Sequence, residues 1–261
     1  MSMMDFDYGA EVAEGSGVAR VNPEEGQQYG VLKSVIHLGK IGSSYQGKPK
    51  QPTNKVVLNF ELKGNLVPEG EDECITGLHP ETGEPLDHSL TINLTKGDNA
   101  MLTKVMAALI SKKEMSENTV KGWDQLIGRP VGLDIKGSDE KVDGKPKYVD
   151  IKGITAAPAA LKAQIPALKN PGVGHATLPK LTVAALHECN MYLDVQMGMM
   201  KSEEWAAGTH PAIALVEEIR KDNPKYATAE VKGAKSTEGA QESQGGKPAQ
   251  EPESVSSDEE F

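Results

Sequence analysis

The chain has few of the residues that build disulfide frameworks or membrane spans. Its 261 residues include only two cysteines, Cys74 and Cys189, which are too few for a disulfide framework and typical of a reducing compartment. No apolar run approaches the ~20 residues that cross a bilayer. The first residues, MSMMDFDYGAEVAEG, are acidic rather than basic and then apolar, unlike a signal peptide. We therefore expect a soluble cytoplasmic protein.

The chain also lacks the common motifs of catalysis and nucleotide binding. It contains no GxxxxGK[ST], GxGxxG, GxSxG or HExxH pattern. Cys74, His79 and His88 have a spacing that matches no common zinc site, and a fourth ligand is missing. We expect no enzymatic activity, no metal and no cofactor.

Acidic residues are concentrated at the two ends of the chain. The net charge is −10, of which residues 1–25 hold −5 and residues 238–261 hold −6, so residues 26–237 carry +1. Residues 26–60 contain five lysines and no acid. Because the charge is so unevenly distributed, the acidic pI of about 5.2 does not exclude binding to nucleic acid.

Hydrophobic periodicity predicts strands first, then a helix, then strands again. Apolar residues alternate with polar ones in five segments, and the spacing changes to about 3.6 residues in one segment that Asp98 is expected to cap. The first strand is expected to turn Leu32, Ser34, Ile36 and Leu38 to one face. The predicted strands are 28–41, 54–64, 89–95, 130–137 and 148–156, and the predicted helix is 98–113.

This element order predicts a mainly β fold with α additions, a five-stranded OB barrel of order β-β-β-α-β-β. Further helices are predicted at 181–200 and 210–222, in an extension that packs on the barrel. Low hydrophobicity and many polar residues predict that both ends are largely disordered. The predicted divisions are an acidic arm (1–27), the OB domain (28–156), the helical extension (157–226) and an acidic tail (227–261).

OB barrels commonly hold single-stranded nucleic acid, which needs cations along a groove and planar side chains for base stacking. The segment 39–50 and the turn before the fifth strand carry lysines and tyrosines where the loops of such a barrel lie, and other lysines are expected on outward strand faces. The simpler alternative is that these lysines only keep the surface soluble. The predicted contacts are Lys33, Lys40, Tyr45, Lys48, Lys50, Lys55, Lys136, Lys145, Lys147, Tyr148 and Lys152.

The last residues, SSDEEF, combine Asp258, Glu259 and Glu260 with Phe261. One hydrophobic side chain at the end of an acidic tether suits a basic pocket with an apolar floor on a partner protein. The same tail can compete with nucleic acid for the cationic face of the barrel. The alternative is a solubilising tail that happens to end in Phe.

The segment YGVLKSVIHLGKIGSSYQGKPKQPTNKVVLNFEL, the OB element order and the DEEF ending resemble the single-stranded DNA-binding proteins of tailed bacteriophages. The resemblance implies coating of single-stranded DNA during replication, recombination and repair in the infected host cell. It also implies that the tail contacts a polymerase, helicase–primase or nuclease. The sequence does not determine the oligomeric state, and a homo-oligomer is one of the possibilities. An OB-like protein-interaction or virion-assembly protein and an RNA-binding barrel remain alternatives.

Overall fold

The computed structural model describes residues 21–45, 48–65, 77–142, 144–188 and 198–216. The fold is mainly β. The described strands are β1 (Gly26–Tyr45), β2 (Lys48–Gly64), β3 (Asp87–Asn93), β4 (Pro130–Gly137), β5 (Lys141–Val142), β6 (Lys145–Pro146), β7 (Val149–Ala156) and β8 (Gly174–Ala176). One main sheet has the order β3-β2-β1-β4-β7, with β8 beside β1. Neighbouring strands along that path are antiparallel, whereas β8 is parallel to β1. The path ends at β3 and β7, so the sheet is not closed.

The helices are short and lie between β3 and β4 and after β7. The predicted helix 98–113 divides at Ser111, whose hydroxyl accepts a hydrogen bond from the backbone N–H of Glu114 and begins a second helix. The first helix is preceded by Ala100 rather than capped by Asp98, so the predicted cap was wrong. Among the described residues, the helices with defined bounds are α1 (Met101–Leu109), α2 (Lys112–Glu117), α3 (Ala159–Lys162), α4 (Val183–Glu188) and α5 (Glu203–Ala206), and residues 198–200 and 212–216 are also helical.

The inner face of the main sheet holds the larger apolar core. Leu58, Phe60 and Leu62 of β2 are fully buried there, as the alternation of β2 predicts. Helix α1 covers this face with Val105 and Leu109. Burial of such side chains stabilises the fold by roughly 1.5–3 kcal/mol each.

A register shift in β1 corrects the predicted faces of that strand. Pairing with β2 shifts between Leu32 and Ser34, as in a β-bulge. Leu32 therefore packs in the inner core, whereas Ile36 and Leu38 pack in a second cluster on the outer face. An extra residue reverses the side chains that follow it, up to the next register shift between His37 and Gly39, because strand side chains alternate with a period of two.

The second cluster forms because residues 157–188 and 198–216 pack on the outer face of the sheet. Ala176, Leu186 and Met199 are buried against β1 and β2 in this cluster. Residues 157–188 and 198–216 of the predicted extension thus lie on the strands, and residues 189–197 and 217–222 of its predicted helices lie outside the described residues. None of the described helices is long and apolar enough to cross a membrane.

Candidate nucleic-acid interface

The predicted loop 39–50 is formed largely by paired strands. Residues 39–45 of β1 pair with residues 48–55 of β2, beyond the part of β1 that pairs with β8. We call these two paired segments the β1–β2 ribbon. An isolated β-bridge pairs Ile41 of the ribbon with Ser202 of the extension. Neither strand of the ribbon contains an acid.

The predicted ribbon lysines are placed at or near the surface. Lys40, Lys48 and Lys50 are exposed and Lys55 is half-buried. Tyr45 lies in β1, and its side chain is outside the described part of the structure. The ribbon therefore presents several cations along one β-hairpin.

Helix α5 supplies carboxylates to one of these lysines. The Nζ of Lys40 lies 3.0 Å from a carboxylate oxygen of Glu203, and the backbone N–H of Lys40 donates to Glu204 at 2.9 Å. Burial alone would raise the pKa of Glu204, but the hydrogen bond from Lys40 helps to lower it below its usual value. Lys40 is thus partly neutralised within the chain.

The second predicted cluster lies on the turn between β4 and β7, residues 138–148, which we call the β4–β7 tip. Lys145 is exposed, and the Tyr148 side chain is 59% exposed. The Nζ of Lys147 lies 5.3 Å from the centre of the Tyr148 ring and 2.7 Å from Glu140. The hydrogen bond to Glu140 raises the pKa of Lys147. An exposed ring beside cations is the arrangement on which a nucleobase can stack.

Two further predicted lysines lie on strands and pair with acids of the same strand. Lys136 is 3.6 Å from Asp134, and Lys152 is 2.7 Å from Asp150. These four side chains are partly or largely exposed, so each pair is worth about 0–1 kcal/mol. Both lysines remain accessible to a phosphate that competes with the neighbouring carboxylate.

Lys33 was predicted on an outward strand face, and this placement is wrong. Its side chain is only 10% exposed, and its Nζ is 2.6 Å from Asp87. Burial raises the pKa of Asp87 although Lys33 acts in the opposite direction. The extension covers this position, which removes Lys33 from the accessible surface.

Residues of the extension also cover the outer face of β2. Glu61 is fully buried and accepts hydrogen bonds from Lys63 and from the backbone N–H groups of Lys169 and Asn170, the latter two at 2.8 Å. Burial alone would raise the pKa of Glu61, but these hydrogen bonds lower it. Lys63 also donates to the carbonyl of Ala167 at 2.6 Å. Sequence reasoning missed this cluster because alternating charges resemble a solvated face.

The structure therefore places eight of the eleven predicted contacts in two separate regions, the ribbon and the tip, whereas Lys136 and Lys152 lie on strands and Lys33 is buried. The β4–β7 tip lies beside the start of β1, where Gly26 pairs with Ile135. The ribbon ends at the opposite end of β1, where Tyr45 pairs with Lys48. The outer face of β1 and β2 between them is covered by the chain itself.

The predicted partner-binding residues Asp258, Glu259, Glu260 and Phe261 lie outside the described residues, as does Cys74. Within the part of the chain that the structure describes, no three His, Cys, Asp or Glu side chains are grouped closely enough to hold a metal ion. Comparisons with family models, curated proteins and solved structures find no match to this chain.

Proposed function

We propose that the protein binds single-stranded DNA without sequence preference and acts in phage DNA replication, recombination and repair. The observation that carries this proposal is the acid-free β1–β2 ribbon with Lys40, Lys48, Lys50 and Lys55. A protruding cationic hairpin can follow a phosphate backbone with little regard to base identity. The proposed role is binding rather than catalysis.

The strand order supports the finer proposal of a five-stranded OB fold. In such folds the loop between the first two strands and the loop between the last two flank the ligand. Here the ribbon and the β4–β7 tip occupy those two positions in the chain, and α1 and α2 lie between β3 and β4. These two hairpins also carry most of the predicted contacts.

Binding of this kind depends mainly on electrostatics, because exposed aromatic side chains are few. Among the described residues, Tyr148 is the exposed tyrosine at the proposed interface. Each phosphate neutralised by a lysine contributes roughly −0.7 to the log–log salt slope for a single strand. We therefore expect affinity to fall steeply with salt and to vary little with base sequence.

Fluorescence anisotropy with a labelled ~30-nucleotide oligo(dT) over a range of salt tests the proposal. The double variant Lys48→Gln/Lys50→Gln should bind about tenfold more weakly at low salt, and its salt slope should be shallower by about 1.4. Lys104→Gln/Lys112→Gln, on the exposed surface of α1 and α2, is the matched control and should bind like the wild type. Equal weakening by both pairs would contradict a specific role for the ribbon.

The acidic tail is proposed to recruit replication proteins and to compete with DNA. Its sequence joins Phe261 to three consecutive acids, and the proposed DNA contacts are lysines. A chain ending at Gln250 should therefore bind oligo(dT) more tightly than the full chain at low salt. The same truncation should abolish capture of a phage polymerase, helicase–primase or nuclease, whereas unchanged capture would remove the recruiting role.

The covered outer face of β1 and β2 favours one alternative, an OB-like protein-interaction or virion-assembly protein. Glu61 and Lys33 are buried there, so neither is accessible to a strand laid across this face. Absence of oligo(dT) binding at low salt by both the full chain and the truncated chain would support that alternative. Much tighter binding of an RNA strand of the same sequence would instead indicate an RNA-binding protein that recognises the 2′-hydroxyl.

A further inference from the structure

Residues 202–210 of the extension hold the β1–β2 ribbon at the end where it joins the sheet. The backbone N–H of Lys40, near the start of the ribbon, donates to Oε2 of Glu204 at 2.9 Å. The isolated β-bridge to Ser202 follows one residue later in β1. We call residues 202–210 the clamp, because these contacts go to the backbone of the ribbon and therefore restrict its direction.

A buried histidine of the clamp bonds to β1 just before the ribbon begins. His210 is 2% exposed, and its Nδ1 accepts a hydrogen bond from the backbone N–H of Ala212 at 3.0 Å. The ring is therefore neutral and carries its hydrogen on Nε2, which donates to the backbone carbonyl of Leu38 at 3.1 Å. Burial lowers the pKa of His210, which favours this neutral form.

The close approach of the clamp depends on a glycine. Gly39 has a φ of +100°, in the left-handed region that favours glycine. A Cβ at this position would lie 2.9 Å from Oε2 of Glu204 and 3.0 Å from the Cβ of Ser202. A side chain there would therefore displace the carboxylate from the N–H of Lys40 and strain the backbone.

The other strand of the ribbon is attached at the same end. Strand β3 pairs with β2 as far as Lys55, and the backbone N–H of Leu94 donates to the carbonyl of Asn54 at 2.8 Å. Lys48 and Lys50 lie beyond these attachments, towards the far end of the ribbon. Because an ordered hairpin loses less conformational entropy on binding than a swinging one, a firm attachment favours contacts made by these two lysines.

We propose that the clamp fixes the direction of the β1–β2 ribbon, so that its lysines meet single-stranded DNA in a preformed arrangement, with Glu204 as the positioning residue. This inference rests on the proposed DNA-binding function. It separates two adjacent carboxylates by their roles. Glu203 contacts the side chain of Lys40 and competes with phosphate, whereas Glu204 contacts the backbone of Lys40 and holds the strand.

Oligo(dT) binding at low salt compares two variants that remove the same charge and the same atoms from adjacent residues. Glu204→Ala should weaken binding about threefold to fivefold, because the ribbon must then be ordered on binding. Glu203→Ala should strengthen binding about twofold by releasing the side chain of Lys40. Glu204→Gln keeps an oxygen acceptor for the N–H of Lys40 and should bind within about twofold of the wild type. Equal changes by the two alanine variants would overturn the inference and leave the proposed function intact.

The salt slope shows how binding is weakened. A loss of order leaves the number of phosphate contacts in the complex unchanged, so Glu204→Ala and Glu204→Gln should have equal log–log salt slopes. A shallower slope for the alanine variant, as expected for Lys48→Gln/Lys50→Gln, would mean that phosphate contacts were lost. That result would overturn the inference.

Hydrogen exchange measured by mass spectrometry provides a readout that needs no DNA. In Gly39→Ala and Glu204→Ala, the amides of 39–45 and 48–55 should exchange about tenfold faster, whereas those of β4 should keep their protection. Gly42→Ala is the matched control, because a Cβ there meets no atom within 4 Å and its φ is not positive. Unchanged exchange in the ribbon of both test variants would overturn the inference even if DNA binding is confirmed. Absence of oligo(dT) binding by every protein, wild type included, would contradict the proposed function instead.

Discussion

The two faces of β2 are buried by different means. On the inner face, Leu58 and Phe60 pack with the apolar side chains of other strands and of α1. On the outer face, Asn59, Glu61 and Lys63 lie beneath residues 157–188 and bond to their backbone. One strand thus joins an apolar core to a polar, hydrogen-bonded seam.

The difference shows that alternation in a sequence does not identify a solvated face. Removing an apolar group from a core costs transfer energy and leaves a cavity. Removing one partner from a buried ion pair leaves a charge without compensation. Both faces therefore contribute to stability, but only the outer face does so in a way that depends on pH.

The largest effect is expected on the inner face. Phe60→Ala should destabilise the protein by about 3–5 kcal/mol, because Phe60 is fully buried and the cavity cannot collapse against paired strands. Urea denaturation measures the change. Phe60→Leu, which keeps most of the volume, is the control and should cost clearly less. A loss below about 1 kcal/mol for the alanine variant would contradict the described core.

On the outer face, Glu61→Gln should destabilise the protein by about 2–3 kcal/mol. The amide keeps the shape but cannot compensate the charge of Lys63, whose side chain is only 6% exposed. The substitution should also speed proteolysis within 163–173, which the carboxylate holds through Lys169 and Asn170. Replacing the pair together, Glu61→Leu with Lys63→Met, should recover part of the loss.

Acid should distinguish the two faces. The folded-state pKa of Glu61 lies below its usual value of 4.5, so its stabilisation is present above that pH and is lost as the pH falls through the folded-state pKa. The difference between wild type and Glu61→Gln should therefore stay constant above about pH 4.5 and shrink as the pH falls below it. The loss of unfolding free energy caused by Phe60→Ala should stay nearly constant over the same pH range. If the losses caused by both substitutions changed with pH in the same way, the bonds of Glu61 on the outer face would not be ionic.

The smallest effect on stability is expected at the surface of the ribbon. Glu203→Gln should change the free energy of unfolding by less than about 0.5 kcal/mol, because its pair with Lys40 is about half exposed. The same variant should raise affinity for oligo(dT) about twofold at low salt by releasing Lys40. Glu117→Gln, which removes an exposed pair with Lys113, should alter neither property.

The strands and the helix that form the inner core were predicted well from the sequence. Five strands and the position of α1 follow from periodicity, since these segments bury one apolar face in the usual way. The bulge at Leu32 was not predicted, because an inserted residue leaves no mark on composition. The ribbon was read as a loop because glycine and proline in 39–50 resemble turn signals.

Prediction of the candidate interface was less complete. Exposed lysines at Lys48, Lys50 and Lys145 follow from their polar surroundings, and the structure places them at the surface. Burial of Lys33 depends on residues 157–188, whose path across the sheet has no local signal in the sequence. Contacts across 100 or more residues are set by tertiary packing, which periodicity does not encode.

Strand β1 is synthesised well before two of its partner strands, β4 and β8, so its pairing is completed late. Its partner β4 follows 109 residues later, as measured from Gly26 to Ile135, and β8 follows 140 residues after Ser34. At a synthesis rate of ~5–20 residues per second, one edge of β1 waits about 5–20 s for β4 alone. Folding should therefore be slow, and the open edge makes the nascent chain sensitive to association with its neighbours on the same messenger RNA.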